Sequence, residues 1–151
     1  MSLIQLRTLI KAPIEEVFDL SRNIDFHINS AKQTKEKAIA GRTSGLIGLH
    51  ETVTWRGKHF GIYLTHQSKI TDFEYPNRFT DEMVKGHFRS FKHQHIFKDS
   101  ETGTEMIDIL EYKTPYGFWG YFFDTMMLKR HLTQFLQNRN SFIKSSLENK
   151  K

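Results

Sequence analysis

The chain has 151 residues, the length of one domain, and carries 22 Lys plus Arg against 17 Asp plus Glu, a net charge of +5 with its eight His neutral. Cysteine is absent, which excludes a disulfide framework, a thiolate metal site and a cysteine nucleophile, and no apolar run approaches the roughly 20 residues of a membrane helix. Thirteen Phe, five Tyr and two Trp supply enough flat apolar surface for a large core or a walled cavity, while the basic residues lie scattered among acids, which argues against a nucleic-acid partner. Met1 to Lys11 is interrupted by Arg7 and lacks a small-residue cleavage site, so a soluble cytoplasmic protein is expected.

Residues 3–11 alternate, with Ile4, Leu6, Thr8 and Ile10 on one face, and read as a half-buried strand. Ala12-Pro13 breaks it. Pro13 suits a first helical position, Glu15 and Glu16 suit the dipole of a first turn, and Ile14, Val17 and Phe18 share a face, so 13–22 reads as a short helix. A second short helix is expected over 23–32. From Lys37 the period becomes two, with strands expected over 37–42, 49–56, 60–72, 78–85, 88–98 and 104–113. Their separators are turn-forming: Thr43-Ser44-Gly45, Arg56-Gly57-Lys58, Tyr75-Pro76-Asn77, Lys85-Gly86-His87 and 99–103. These connections are too short for parallel crossovers, so the strands form an antiparallel meander. After Pro115-Tyr116-Gly117 the period turns helical. Trp119, Phe122, Phe123, Met126, Leu128, Leu132, Phe135, Leu136, Phe142 and Ile143 give one long amphipathic helix, with Lys129, Arg130, Arg139 and Lys144 expected outside and fraying near Lys150. No linker, repeat or second domain is visible, so 1–151 reads as a single domain.

The order is one strand, two short helices, six strands and a long helix: an α+β chain whose seven-stranded antiparallel sheet needs its apolar face covered. This order resembles the helix-grip fold of the START-related, birch-pollen-allergen-like superfamily (SRPBCC), and within it the bacterial polyketide cyclase/dehydrase and coenzyme-Q-binding branch. The resemblance rests on the opening strand with Ala12-Pro13-Ile14-Glu15-Glu16-Val17-Phe18, on Val53-Thr54-Trp55, on Ile70 to Pro76, and on Phe79-Thr80-Asp81-Glu82-Met83 with Lys85-Gly86. It continues through Phe91-Lys92-His93-Gln94-His95-Ile96-Phe97, Gly103-Thr104, Asp108, Tyr112, Pro115 and Gly117. It implies a sheet wrapped around the long helix, with a ligand cavity between them.

His93 and His95 stand two apart on a strand and share a face with Phe91 and Phe97, which marks that face as inner. Asp108 lies on the next strand with the parity of Met106, Leu110 and Tyr112. If that face is inner, Asp108 can pair with an imidazole; the opposite register, with Ile107 and Ile109 inward, puts it in solvent. Asp81 shares the parity of Phe79 and Met83. Four readings of this cluster stay open: hydrogen-bonded polar residues inside an apolar sheet, a patch that orients a ligand, a general acid/base pair, and a three-ligand zinc or iron site. No P-loop, nucleophile elbow or His-Glu-x-x-His is present, and the pocket arginine paired with a tyrosine that a well-characterised cyclase offers is not apparent.

The expected function is that of a non-catalytic protein holding a small hydrophobic molecule (a lipid, quinone or polyketide-like compound) between sheet and helix. The alternative is a cyclase/dehydrase-type enzyme using His93, His95 or Asp108. The candidate ligand-binding residues are Trp55, Asp81, Met83, Phe91, His93, His95, Asp108, Tyr112, Phe122 and Met126; no metal or cofactor is expected. The run Phe118 to Leu128 is expected to pack on the sheet, with a transient membrane contact or a dimer contact as the other readings. His66, by parity, is expected to face inward.

Overall fold

The computed structural model describes residues 1–149; the fraying expected near Lys150 falls outside them. Strand β1 (Ser2–Ile10) is followed by α1 (Ile14–Ser21), α2 (Ile24–Ser30) and a 3₁₀ turn. Six further strands come next: β2 (Lys37–Gly41), β3 (Thr52–His59), β4 (Ile62–Glu74), β5 (Arg78–Lys85), β6 (Ser90–Ser100) and β7 (Gly103–Lys113). They form one seven-stranded sheet in the order β1-β7-β6-β5-β4-β3-β2, antiparallel at every pairing. Strand β1 joins the meander beside β7, and α1 and α2 carry the chain from there to β2 at the opposite edge.

The last element runs from α3 (Gly117–Phe123) through a π-helical turn (Asp124–Leu128) into α4 (Lys129–Glu148). The sequence predicts an uninterrupted α-helix. The wider turn inserts at Asp124, whose carboxylate is buried and accepts hydrogen bonds from Tyr112 Oη at 2.5 Å and from Ser2.

Two local expectations are corrected. Pro13 caps α1 and is not its first helical residue, since its ψ of 148° is extended. Arg56-Gly57-Lys58 is not a turn: β3 runs through it, and the Glu36 carboxylate lies over Gly57, where an added Cβ would sit 2.0 Å from Oε2. The reversal comes at Phe60-Gly61, both left-handed at φ 53° and 79°, which gives the two-residue hairpin its twist.

The core divides into two apolar clusters. One gathers around Phe18 of α1 with Ile10, Phe79, Phe97, Met106 and Ile143. The other holds Ile4, Leu110, Tyr112, Leu128 and Leu136. Between them the pattern switches to polar on three elements at one level: His93 and His95 between Phe91 and Phe97 on β6, Asp108 between Met106 and Leu110 on β7, and Arg139 with Asn140 between Leu136 and Ile143 on α4. Strand period two and helical spacing three to four place the polar positions at the same height.

Candidate functional site

The polar layer is closed by diagonal bonds across the sheet. His95 pairs in register with Asp108 and His93 with Leu110, yet the His93 imidazole reaches sideways to Asp108 Oδ1, at 2.8 Å from Nε2. On the other side, Asp81 pairs with His93, and His95 Nε2 reaches Asp81 Oδ2 at 2.8 Å. Asp108 has no accessible surface and is held by three groups: His93, the Arg139 guanidinium at 3.3 Å and the Asn140 amide at 2.7 Å. The register with Ile107 and Ile109 inward is thereby excluded.

Tautomers follow from the partners. Arg139 has only N–H donors, and its Nη2 donates to His95 Nδ1 at 3.3 Å, so the His95 proton sits on Nε2 and goes to Asp81. His93 gives its Nε2 proton to Asp108, and its Nδ1 lone pair has no hydrogen-bond partner among the described residues. Asn140 Oδ1 is buried without a partner.

The electrostatics are those of a dry site. Burial holds the His95 pKa down to about 4, reinforced by the neighbouring His93, so the imidazole is neutral at pH 7. Burial alone would raise the Asp81 pKa, but the His95 hydrogen bond and nearby imidazoles bring it to about 2. For Asp108 burial also works upward and is overcome by the Arg139 charge and the His93 bond, which keep the carboxyl well below its ordinary range. Tyr112 is pushed up by burial and by the ionised Asp124 it donates to.

Next to this layer lies a cavity of about 670 Å³ between sheet and helix, within the range of small-molecule sites. Its walls are mostly apolar: Ile24, Val53, Trp55, Ile70, Phe91, Leu110, Leu132 and Phe135 are among them. Asp81, His93, His95 and Arg139 supply polar groups in the wall. Seven of the eight histidines line it, including His66 as expected from parity. His27 stacks near Trp55, with ring centroids 4.3 Å apart, and burial lowers its pKa to about 4. His59 Nδ1 lies 2.9 Å from His131 Nε2. The cavity opens where lining residues turn outward, at Phe60, Tyr116, Trp119 and Phe123.

Of the ten sequence candidates, Trp55, Asp81, Phe91, His93 and His95 line the cavity. Asp108 lies one layer behind, against His93 and Arg139. Tyr112 is fully buried and bonded to Asp124. Met83 sits on β5 with its sulfur toward Gly86, off the cavity wall. Phe122 and Met126 are corrected: they are 52% and 65% exposed on the outer side of the helix, which leaves Gly120 and Leu128 to face inward and Phe123 at the mouth. Packing of 118–128 on the sheet holds for Asp124 and Leu128 and is corrected for the aromatics, for Phe118 and Trp119 are 71% and 74% exposed. Arg139, expected outside, is buried, so a pocket arginine is present, bonded to Asp108 and His95 without a tyrosine. Its signal was legible: Leu132, Leu136, Arg139, Asn140 and Ile143 continue one stripe at spacings of three and four.

Superposition on known structures then places the whole. TTHA0849 from Thermus thermophilus is similar over 96% of this chain and 99% of its own, with a TM-score of 0.75 and 15% identity. Ginseng major latex-like protein 151 from Panax ginseng is similar over 97% of both chains, with a TM-score of 0.70 and 14% identity. The chain has the helix-grip fold. Ara h 8.0201 matches this helix-grip chain over 99% of each, with a TM-score of 0.70 and 9% identity. No protein-family model matches the sequence, and no curated protein matches it. Among the described residues no helix is long and apolar enough to cross a membrane.

Proposed function

We propose that residues 1–151 are a single domain that binds one small hydrophobic molecule with an oxygen-bearing end, a lipid, quinone or polyketide-like compound, in a cytoplasmic setting. The observation that carries this reading is the pairing of an apolar cavity of about 670 Å³ with a polar layer in its wall. Burying apolar ligand surface at roughly 25 cal/mol per Å² drives entry. The N–H groups of Arg139 not used on Asp108 and His95, together with the free His93 Nδ1, offer one donor set and one acceptor to the polar end.

The exposed aromatics at the mouth support a route of delivery. Tyr116, which caps α3, and Phe118, Trp119 and Tyr121 on it are exposed, as are Phe60 and Ile62 of the β3–β4 hairpin, and Phe60 touches Phe123 of α3 at a centroid distance of 5.3 Å. Lys58 of β3, Lys113 at the end of β7, and Lys129 and Arg130 at the start of α4 are exposed as well. Aromatics flanked by cations suit transient contact with an anionic lipid surface. A second reading, an acid–base enzyme of cyclase/dehydrase type, is favoured by one observation: His93 is oriented by a buried carboxylate with its other nitrogen free.

Native mass spectrometry of the purified protein and titration with an environment-sensitive apolar dye test the binding reading. One dye per chain at micromolar affinity, about −8 kcal/mol, with Trp55 quenched, is the expected result. A dye that neither binds nor stabilises the fold overturns it.

A further inference from the structure

We propose that Asp81, His93 and His95 bind one divalent first-row transition ion, Zn²⁺ or Fe²⁺, whose open coordination positions face the cavity. One donor atom from each of the three residues lies within 4.8 Å of the other two. They stand on two neighbouring strands, Asp81 directly opposite His93 and His95 two residues along, so the donors share the concave face of a continuous sheet. Rigid sheet positions hold ligands more accurately than loops do. Two imidazoles and a carboxylate are the ligand set of open-sided zinc and non-haem iron sites, while magnesium and calcium demand more oxygen.

The surroundings are those of a supported site. His93 gives Nε2–H to a carboxylate with no accessible surface, the arrangement by which proteins fix the ring of a metal-bound histidine, and this leaves Nδ1 as an unpartnered lone pair. His95 Nε2 and Asp81 Oδ2 are 2.8 Å apart, and a widening of about 0.5 Å gives the spacing of two ligands about 2.0–2.1 Å from one tetrahedral ion. On binding, the ion takes the place of the His95 Nε2 proton, which moves to Nδ1. Asp108 Oδ1, 3.5 Å from Nδ1, accepts it there, and Arg139 Nη2 gives up its bond to that nitrogen and turns to the cavity. The Arg139 charge does not repel the ion unopposed, because Asp108 already neutralises it and Asp81 brings the ion its own anion. The positions left open point at the space where the apolar molecule lies. The fourth ligand is then a carbonyl or carboxylate oxygen at its polar end, a part of the inference that rests on the binding reading above; the three protein ligands do not.

The test uses the full chain, stripped with chelator and dialysed, then titrated with Co²⁺ as the visible probe and Zn²⁺ in competition by calorimetry. One equivalent per chain is expected, with the d–d absorption of a four- or five-coordinate cobalt and displacement by Zn²⁺. His93→Gln and Asp81→Asn should each weaken binding at least tenfold. Asp81→Glu, which keeps a carboxylate, should retain the cobalt band and so separates lost ligation from lost folding. Absence of the band, binding that survives both substitutions, or binding abolished instead by His131→Gln at the other histidine pair would overturn the site. Dye binding by the metal-free chain is measured in parallel. Dye bound with no cobalt bound removes the metal site and leaves the binding reading standing; cobalt bound with no dye does the reverse.

Discussion

Asp108→Asn is the most informative single change in the polar layer. The carboxylate accepts at Oδ1 from His93 and Arg139 and at Oδ2 from Asn140, so every partner is a donor. An asparagine of the same shape has one acceptor atom and one donor atom. With its amide toward Asn140 it sets N–H against N–H; flipped, it sets N–H against His93 and Arg139. Either orientation also leaves a buried guanidinium without its nearest counter-charge. Breaking a buried pair from one side costs about 3–5 kcal/mol. At roughly 2–4 °C per kcal/mol for a chain of this size, the melting temperature should fall by roughly 6–20 °C. Arg139→Met removes the stranded charge, so the double variant should be more stable than the sum of the singles implies, with a coupling of about 1–3 kcal/mol. Urea unfolding followed by circular dichroism in chelator-containing buffer measures all four corners of the cycle. An Asp108→Asn variant within about 1 kcal/mol of wild type, or strictly additive effects, would show that the layer is not an electrostatic unit and refute the reasoning.

Stability should fall as pH drops from about 6.5 toward about 4, because His27 and His95 each bind a proton more readily unfolded than folded. A depressed histidine pKa stabilises above the unfolded value and loses that contribution on acidification. His27→Phe should flatten the slope by on the order of 2–3 kcal/mol across that window in pH-dependent urea titrations, and an unchanged slope counts against burial of His27. Arg139→Gln should cost an oxygen-ended ligand about 1.5–3 kcal/mol while sparing a pure hydrocarbon probe, read by dye displacement; equal losses for both would place the polar end elsewhere. Gly120→Ala would set a Cβ 1.8 Å from the Pro115 carbonyl oxygen, so α3 must shift, at about 1–3 kcal/mol in thermal unfolding; an unperturbed melting temperature would mean the first turn of α3 is free to move. Phe118→Ala should reduce co-sedimentation with anionic vesicles and leave dye binding intact, and unchanged sedimentation would deny the exposed aromatics of α3 a lipid role.

Much of this molecule was legible in the order of its residues. The change of period at Lys37 and again after Pro115, with connections too short for crossovers, determined an antiparallel meander closed by a long helix. These are local properties: alternation and helical spacing declare which face of an element is apolar before anything packs against it. Parity likewise put His93, His95 and Asp81 on the inner face. Arg56-Gly57-Lys58 misled because a glycine in a strand looks like a turn until its neighbour is known, and the neighbour, Glu36, comes from another element.

What only the tertiary structure decided was which inner residues meet and which apolar residues stay outside. Asp108 could have faced either way on its strand, and the bonds it makes come from β6 and α4, elements 15 and 31 residues distant in sequence. Arg139 read as a solvent-facing cation because a charge on a helix is expected in water. The helical stripe put it on the inner face, but what makes its burial tolerable is Asp108 at the same height across the interface, a partner that the stripe does not name. The aromatics of 118–128 read as core for the complementary reason: periodicity says that a face is apolar and leaves open what covers it. Here the π turn at Asp124 is tied by Tyr112 and Ser2, and the aromatics before it stand in the open.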